Sequence, residues 1–306
     1  MNARRITAYR FIQPFVALGL LAGFGDVAPA QEELPELVVT ATRVPIPAEQ
    51  SGSAITVVTG QDLEQRQIWV VADALRDVPG AAVSRSGGPG ALTEVYLRGA
   101  ESNQTLVLVD GVEVNHPDGG AFDFNSLLDL EVERIEVLRG PQSVLWGSSA
   151  IGGVINIVTR RAERPLQASA RLEAGSFATW QAAGSVGGRG ERYDALLSGA
   201  WFDTDGWSAG SDWRGNGEDD GTTIGSLQFK GSVHPRDDLE LSLIERYTHN
   251  RSDFDAFVGG DRRPVLDSDD RADNRQNLLR LQGRLSLFGG AWEHLLGAAR
   301  YDLDSK

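Results

Sequence analysis

From residue 166 onward apolar and polar residues alternate strictly. Leu166, Ala168, Ala170, Leu172 and Ala174 stand against Gln167, Ser169, Arg171 and Glu173; further on, Leu279, Leu281, Gly283, Leu285 and Leu287 stand against Arg280, Gln282, Arg284 and Ser286. Successive side chains of a strand point to opposite faces, so each run predicts a strand with one apolar and one polar face. With 178–187, 191–202, 224–233, 238–248 and 291–303 this makes seven candidate strands. Each is close to the ~9–11 residues that a tilted membrane strand needs. The connections at 188–190, 234–237 and 289–290 are short, whereas 203–221 and 249–275 are long and acidic; only the link at 175–178 is short where a long one is due. Short turns on one side and long loops on the other predict an outer-membrane barrel. A soluble β-sandwich would alternate as well. The barrel is favoured by an apolar face rich in Ala, Gly and Leu, and by Trp180, Trp201, Tyr247 and Trp292 near predicted strand ends, where interfacial girdles sit.

Residues 51–165 have a different texture. The runs 55–59 and 106–110 read as strands, and 69–77 as a helix stopped by Pro79-Gly80. Asp110-Gly111, between Leu106-Val-Leu-Val109 and Val112-Glu-Val114, is a hairpin signal, because a tight I′ turn needs positive φ at both central residues. This part is expected to be an α+β domain. Residues 31–50 hold Pro35, Pro45 and Pro47 around a short β-prone stretch and read as a tether with one embedded strand. At the start, Arg4, Arg5 and Arg10 precede an apolar run over 15–23, and Ala28-Pro29-Ala30 follows. That order predicts a secretory signal peptide over 1–30, since the run is shorter than the ~20 residues of a spanning helix.

Composition narrows the function. A formal charge of -14 argues against a nucleic-acid partner, and the absence of Cys excludes a disulfide scaffold and Cys-ligated metal. Thirty-six Gly with one Met is skewed away from helical bundles. His116, His234, His249 and His294 are scattered, with no Ser-His-Asp or HExxH arrangement, so no enzyme is expected. Gly87-Gly88-Pro89-Gly90 suggests a phosphate cradle only superficially, because no Gly-Lys-Ser/Thr follows.

Four further segments occur in a fixed order: Arg98-Gly99, Leu106-Val-Leu-Val-Asp-Gly-Val112, Arg134-Ile-Glu-Val-Leu-Arg-Gly-Pro141 and the run GSSAIGGVIN at 147–156. In order and spacing they resemble the plug signature of the TonB-dependent outer-membrane receptors. Glu36, Leu37, Val38, Val39, Thr40 and Ala41 resemble the TonB box of that family. The resemblance implies an α+β plug domain inside a 22-stranded antiparallel transmembrane β-barrel, and uptake driven by TonB with ExbB–ExbD. About seven barrel strands precede the end at Lys306, so a fragment or truncated product is expected.

The resemblance also assigns sites. Residues 36–41 would add as a strand to TonB, with Leu37 and Val39 in pockets. Cobalamin receptors look closest, through the Gly-rich loop and the acidic loops. The two plug loops 86–93 and 115–123 match ligand-contacting loops, which places substrate contacts at Ser86, Gly87, Gly88, Gly90, Leu92, Thr93, Asn115, His116 and Asp118. Arg98 and Arg139 would hold the plug by facing acidic wall residues. Glu218, Asp220 and Asp255 fall on Ca²⁺ ligands, with Asp205 or Asp212 standing in where Ser208 replaces an expected Asp. Otherwise no cofactor is implied. Three alternatives remain open: cobalamin uptake, ferric siderophore or haem uptake, and a non-transporting adhesin or sensor. The surrounding partner is outer-membrane lipid.

Overall fold

The seven predicted strands form a single meander. The computed structural model describes residues 37–38, 46–47, 52–116, 118–129, 132–207, 219–256 and 266–306. The expected signal peptide lies outside the described residues. Strands β10 (Gln167–Ala174), β11 (Trp180–Arg189), β12 (Tyr193–Thr204), β13 (Thr222–Arg236), β14 (Leu239–Ala256), β15 (Leu266–Leu287) and β16 (Trp292–Ser305) pair antiparallel in chain order. We call this sheet the wall.

Three of its strands outrun the apolar pattern, with 15, 18 and 22 residues in β13, β14 and β15. The predicted loop 249–275 is therefore largely strand. The backbone ladder continues past the apolar band because exposed charge pairs such as Arg271 to Asp253, at 2.7 Å, suit a strand pair in water. Tyr247, expected near a strand end, consequently lies inside β14. Trp180 and Trp292 are the first residues of β11 and β16.

The wall is inside-out. On β12 the residues Asp194, Leu196, Ser198, Ala200, Phe202 and Thr204 are buried, while Tyr193, Leu197 and Trp201 are exposed. On β13 the inward row includes Thr222, Ser226, Gln228, Lys230 and Ser232, and the outward row presents Leu227, Phe229 and Val233. Water-soluble sheets bury the apolar row; here the apolar row is outside, as contact with lipid requires.

Against the inward face sits the α+β domain. Strands β3 (Ala54–Thr59), β8 (Val132–Arg139), β9 (Gly153–Thr159), β6 (Thr105–Val109) and β7 (Val112–Glu113) form one sheet in that order, with only β6 and β9 parallel. All five β6 residues are buried, because the sheet has a core on both faces: Val107 and Val109 on one side, Leu106 and Leu108 on the other. Asp110 and Gly111 take φ of 48° and 79°, the left-handed pair that an I′ turn demands. Helix α1 (Gly60–Gln65) opens with a reciprocal capping box between Thr59 and Asp62. The predicted helix over 69–77 is shorter, α2 (Val71–Leu75), and packs on β4 (Ala81–Arg85), which pairs with β5 (Thr93–Leu97). A third helix, α3 (Ser143–Trp146), lies between β8 and β9. Ahead of the domain, β1 (Leu37–Val38) pairs antiparallel with β2 (Ile46–Pro47).

Domain and wall share apolar clusters. Trp69 and Leu128 pack with Ala183, Ala200, Phe202 and Ile224 of the wall, and Ile244 and Leu278 join the main core of the domain.

Candidate ligand cavity and wall contacts

A cavity of about 480 Å³ opens between the Gly-rich loop and the wall. Concave sites for small ligands are of this size. Ser86, Gly87, Gly88, Gly90 and Leu92 line it on the domain side, with Asp123 and Asn125; Asn250, Ser252, Phe254 and Asn274 line it on the wall side. Five of the predicted contact residues therefore meet in one place.

Two glycines have a steric reason. Gly90, at φ +88°, would push a Cβ to 2.4 Å from the Thr222 side chain, and Gly88 would push one to 2.7 Å from the Trp207 carbonyl. The loop lies directly on the wall, closer than any other residue type allows.

The other four predicted contact residues do not line this cavity. Thr93 is fully buried; its N–H donates to Asp123 Oδ1 at 3.0 Å and its Oγ1 to the Ala91 carbonyl at 2.9 Å, which closes the loop. Asn115 is buried too, accepting from the Val107 N–H at 2.7 Å and donating to the Thr105 carbonyl at 3.0 Å. One donor and one acceptor of its amide thus satisfy the backbone of β6. His116 and Asp118 sit at the second loop, where the Asp118 N–H donates to His116 Nδ1 at 3.3 Å. His116 lines two further hollows, one with Glu113, Ser149 and Tyr301, and one that shares Leu92, Asp123, Asn125, Asn250 and Asn274 with the first cavity.

Asp123 and the Asn residues 125, 250 and 274 are lining residues that the sequence did not single out. Asn250 could have been singled out as a polar residue on the inward row of an alternating strand, but that signal is shared by every inward neighbour. Burial pushes the Asp123 carboxyl up to about 6, against the N–H donors of Thr93 and Asn125, which favour its charged form.

Ionic contacts tie the domain to the described wall strands at two points. Arg98 and Arg139 form no ion pair among the described residues: Arg139 Nη1 donates to the Pro79 carbonyl at 2.7 Å, and Arg98, at φ 53°, lies against Gly140. At those two points the wall supplies the cation. Lys230 Nζ lies 2.8 Å from Asp110 Oδ1, 2.6 Å from the Thr159 carbonyl and 3.0 Å from Thr159 Oγ1. Arg280 donates to the Asp110 carbonyl oxygen. Lys230, Ile244 and Arg280 are direct register partners on three adjacent strands, so one row of the wall grips the Asp110-Gly111 turn. At a second point Arg171 donates twice to Asp129, at 2.8 and 3.0 Å, and lies 3.6 Å over the Trp69 ring. Trp69 Nε1 donates to Glu173 Oε2 at 2.8 Å. Burial pushes the Asp129 carboxyl up to about 6, and the Arg171 charge offsets only part of that.

Of the expected Ca²⁺ ligands, Asp212 and Glu218 lie outside the described residues, as does the Asp255 side chain. Asp220 is buried beside the cavity. Among the described residues no three metal-ligating side chains gather as an ion site. Within residues 36–41 only Leu37 and Val38 are described, in the β1–β2 pair.

Residues 47–154 match the family model of the TonB-dependent Receptor Plug Domain. The chain is 36% identical over 248 residues to the vitamin B12 transporter BtuB of Photobacterium profundum, a match covering 80% of this chain and 40% of that protein. In fold it is similar to the ferripyoverdine receptor of the outer membrane of Pseudomonas aeruginosa, with a TM-score of 0.70, 20% identity and coverage of 87% and 36% of the two chains. The ferric yersiniabactin uptake receptor FyuA of Yersinia pestis gives a TM-score of 0.66 at 23% identity, covering 84% and 42%. The chain thus spans less than half the length of these relatives. With its plug sheet, its inside-out wall and a plug lodged against the polar face, the chain belongs to the TonB-dependent receptors.

Proposed function

We propose that the protein captures cobalamin at the outer membrane and delivers it to the periplasm when TonB acts on the plug. The observation that carries this reading is the 36% identity to a vitamin B12 transporter, which runs through plug and wall alike. The cavity under loop 86–92 is the proposed capture point. TonB is proposed to add as a strand to residues 36–41, a β-prone stretch between prolines ahead of the plug, main-chain hydrogen bonds supplying the affinity. A Ca²⁺ ion held by Glu218, Asp220, Asp255 and Asp212 belongs to the same proposal. Its support is the carboxylate density of loop 203–221, which suits a hard cation with oxygen ligands.

The test is cyanocobalamin binding to the receptor extracted from outer membranes, with and without a Ca²⁺ chelator. Tight binding that weakens on chelation supports both parts. Binding indifferent to chelation keeps the vitamin and removes the ion. Absence of binding moves the reading to a ferric siderophore, which the fold neighbours favour. Deleting residues 36–41 separates a transporter from an adhesin or sensor: energised uptake is lost and ligand adhesion stays.

A further inference from the structure

The floor of the cavity is a chain of side-chain amides that crosses from wall to plug. Asn250, on β14, is 2% exposed, and its Nδ2 donates to Asn125 Oδ1 at 2.9 Å. Asn125 is 5% exposed, and its own Nδ2 donates to the carbonyl oxygen of Gly90, with Ala91 at 3.5 Å. On the wall side, Asn250 Oδ1 accepts from Ser252 Oγ at 3.0 Å.

These partners set the direction of the bridge. The Asn250 oxygen is taken by a wall hydroxyl, which leaves its NH₂ for the plug; the Asn125 NH₂ is taken by loop carbonyls, which leaves its oxygen for the wall. Asp123 steadies the same unit from behind, its Oδ1 accepting from the N–H of both Thr93 and Asn125. The loop is thereby held at its carbonyls by Asn125 and at its end by Asp123.

Resting on the proposed capture of cobalamin at this cavity, we infer that Asn250, acting through Asn125, is a positioning residue that holds the ligand-facing loop 86–92 in its binding shape. Plug retention does not depend on it, because Lys230 with Asp110 and Arg171 with Asp129 grip the plug elsewhere. Loss of the bridge leaves a buried amide oxygen without its donor and frees the loop to move.

Residues 1–306 contain no Cys, so an Ala91→Cys substitution, in a receptor cleared of any Cys outside them, gives a single reporter within the loop. In the receptor carrying it, Asn250→Ala and the isosteric but non-donating Asn250→Asp are expected to raise the maleimide labelling rate several-fold without ligand. In the parent background the same substitutions weaken cyanocobalamin binding about tenfold, the effect of one buried hydrogen bond. Gln276→Ala removes a neighbouring wall-to-plug hydrogen bond, to Ser126 Oγ at 3.2 Å, and is expected to change neither readout. Unchanged labelling in Asn250→Ala, or equal effects from Gln276→Ala, overturns the inference. If the parent receptor binds no cyanocobalamin, the ligand reading fails, and the labelling comparison still decides the role of Asn250.

Discussion

Lys230 of the wall and Asp110 of the plug meet at 2.8 Å with only 4% of either side chain exposed. All three ammonium donors are used, one on Asp110 and two on Thr159. Such a pair is costly to break from one side, because the survivor keeps a buried charge. Lys230→Met is therefore expected to destabilise the plug by about 3–5 kcal/mol. Asp110→Asn in the same chain should recover much of that, since Asn also tolerates the left-handed turn. Thermal unfolding of the two single variants and the double variant measures the coupling, and additive losses would show that the pair contributes nothing as a pair.

The Asp129 carboxyl titrates near 6 in the folded chain and near the ordinary ~3.9 when unfolded. The folded state thus holds the proton more tightly, so its contribution to stability is full below about 4 and is lost as pH rises to about 6. Asp129→Asn removes this dependence. The difference in unfolding midpoint between parent and variant should move in favour of the variant across that window and then level off. A difference constant with pH would show a carboxyl ionised throughout.

Leu227 faces outward within the apolar band, whereas Thr223 lies four residues nearer the long-loop end, opposite Asp203 and Arg251. Leu227→Lys is expected to cost about 2–4 kcal/mol, and Thr223→Lys about 0–1 kcal/mol, because the penalty for charge falls away from the bilayer midplane. Denaturant titrations in lipid vesicles check the contrast; equal penalties would place both residues at one depth.

Thr59→Ala removes the hydroxyl that receives the Asp62 N–H at 3.1 Å at the start of α1. A loss of about 1 kcal/mol is expected at neutral pH. Hydrogen bonds from Thr59 hold the Asp62 carboxyl below its ordinary 3.8. The stabilisation is therefore present above that value and fades as pH falls through the depressed one, so the cost of Thr59→Ala should shrink in acid. Urea titrations of both proteins at neutral and acidic pH measure it.

The plug hairpin was legible from Asp110-Gly111, because few dipeptides accept two positive φ angles in succession. The wall was legible from period-two runs such as 279–287, since alternation is a local property. Strand ends were not: past the apolar band, pairing of Arg271 with Asp253 extends the ladder without any hydrophobic signal. Nor were the anchoring contacts. Lys230 is one of several polar residues on an inward row, and only the fold shows that it meets Asp110, 120 positions earlier. Loop 86–92 was singled out by its resemblance in position to ligand-contacting plug loops, yet Asn125 and Asn250, beneath it, carry no such mark.

The inverted wall has a consequence for assembly. A slip of β13 by one residue would turn Lys230 towards the lipid and Phe229 towards the plug, and would do the same to every neighbour along the strand. Misregistered pairings are thus penalised twice, by charge in hydrocarbon and by an aromatic ring against polar partners. The bilayer acts as a proofreader of strand alignment.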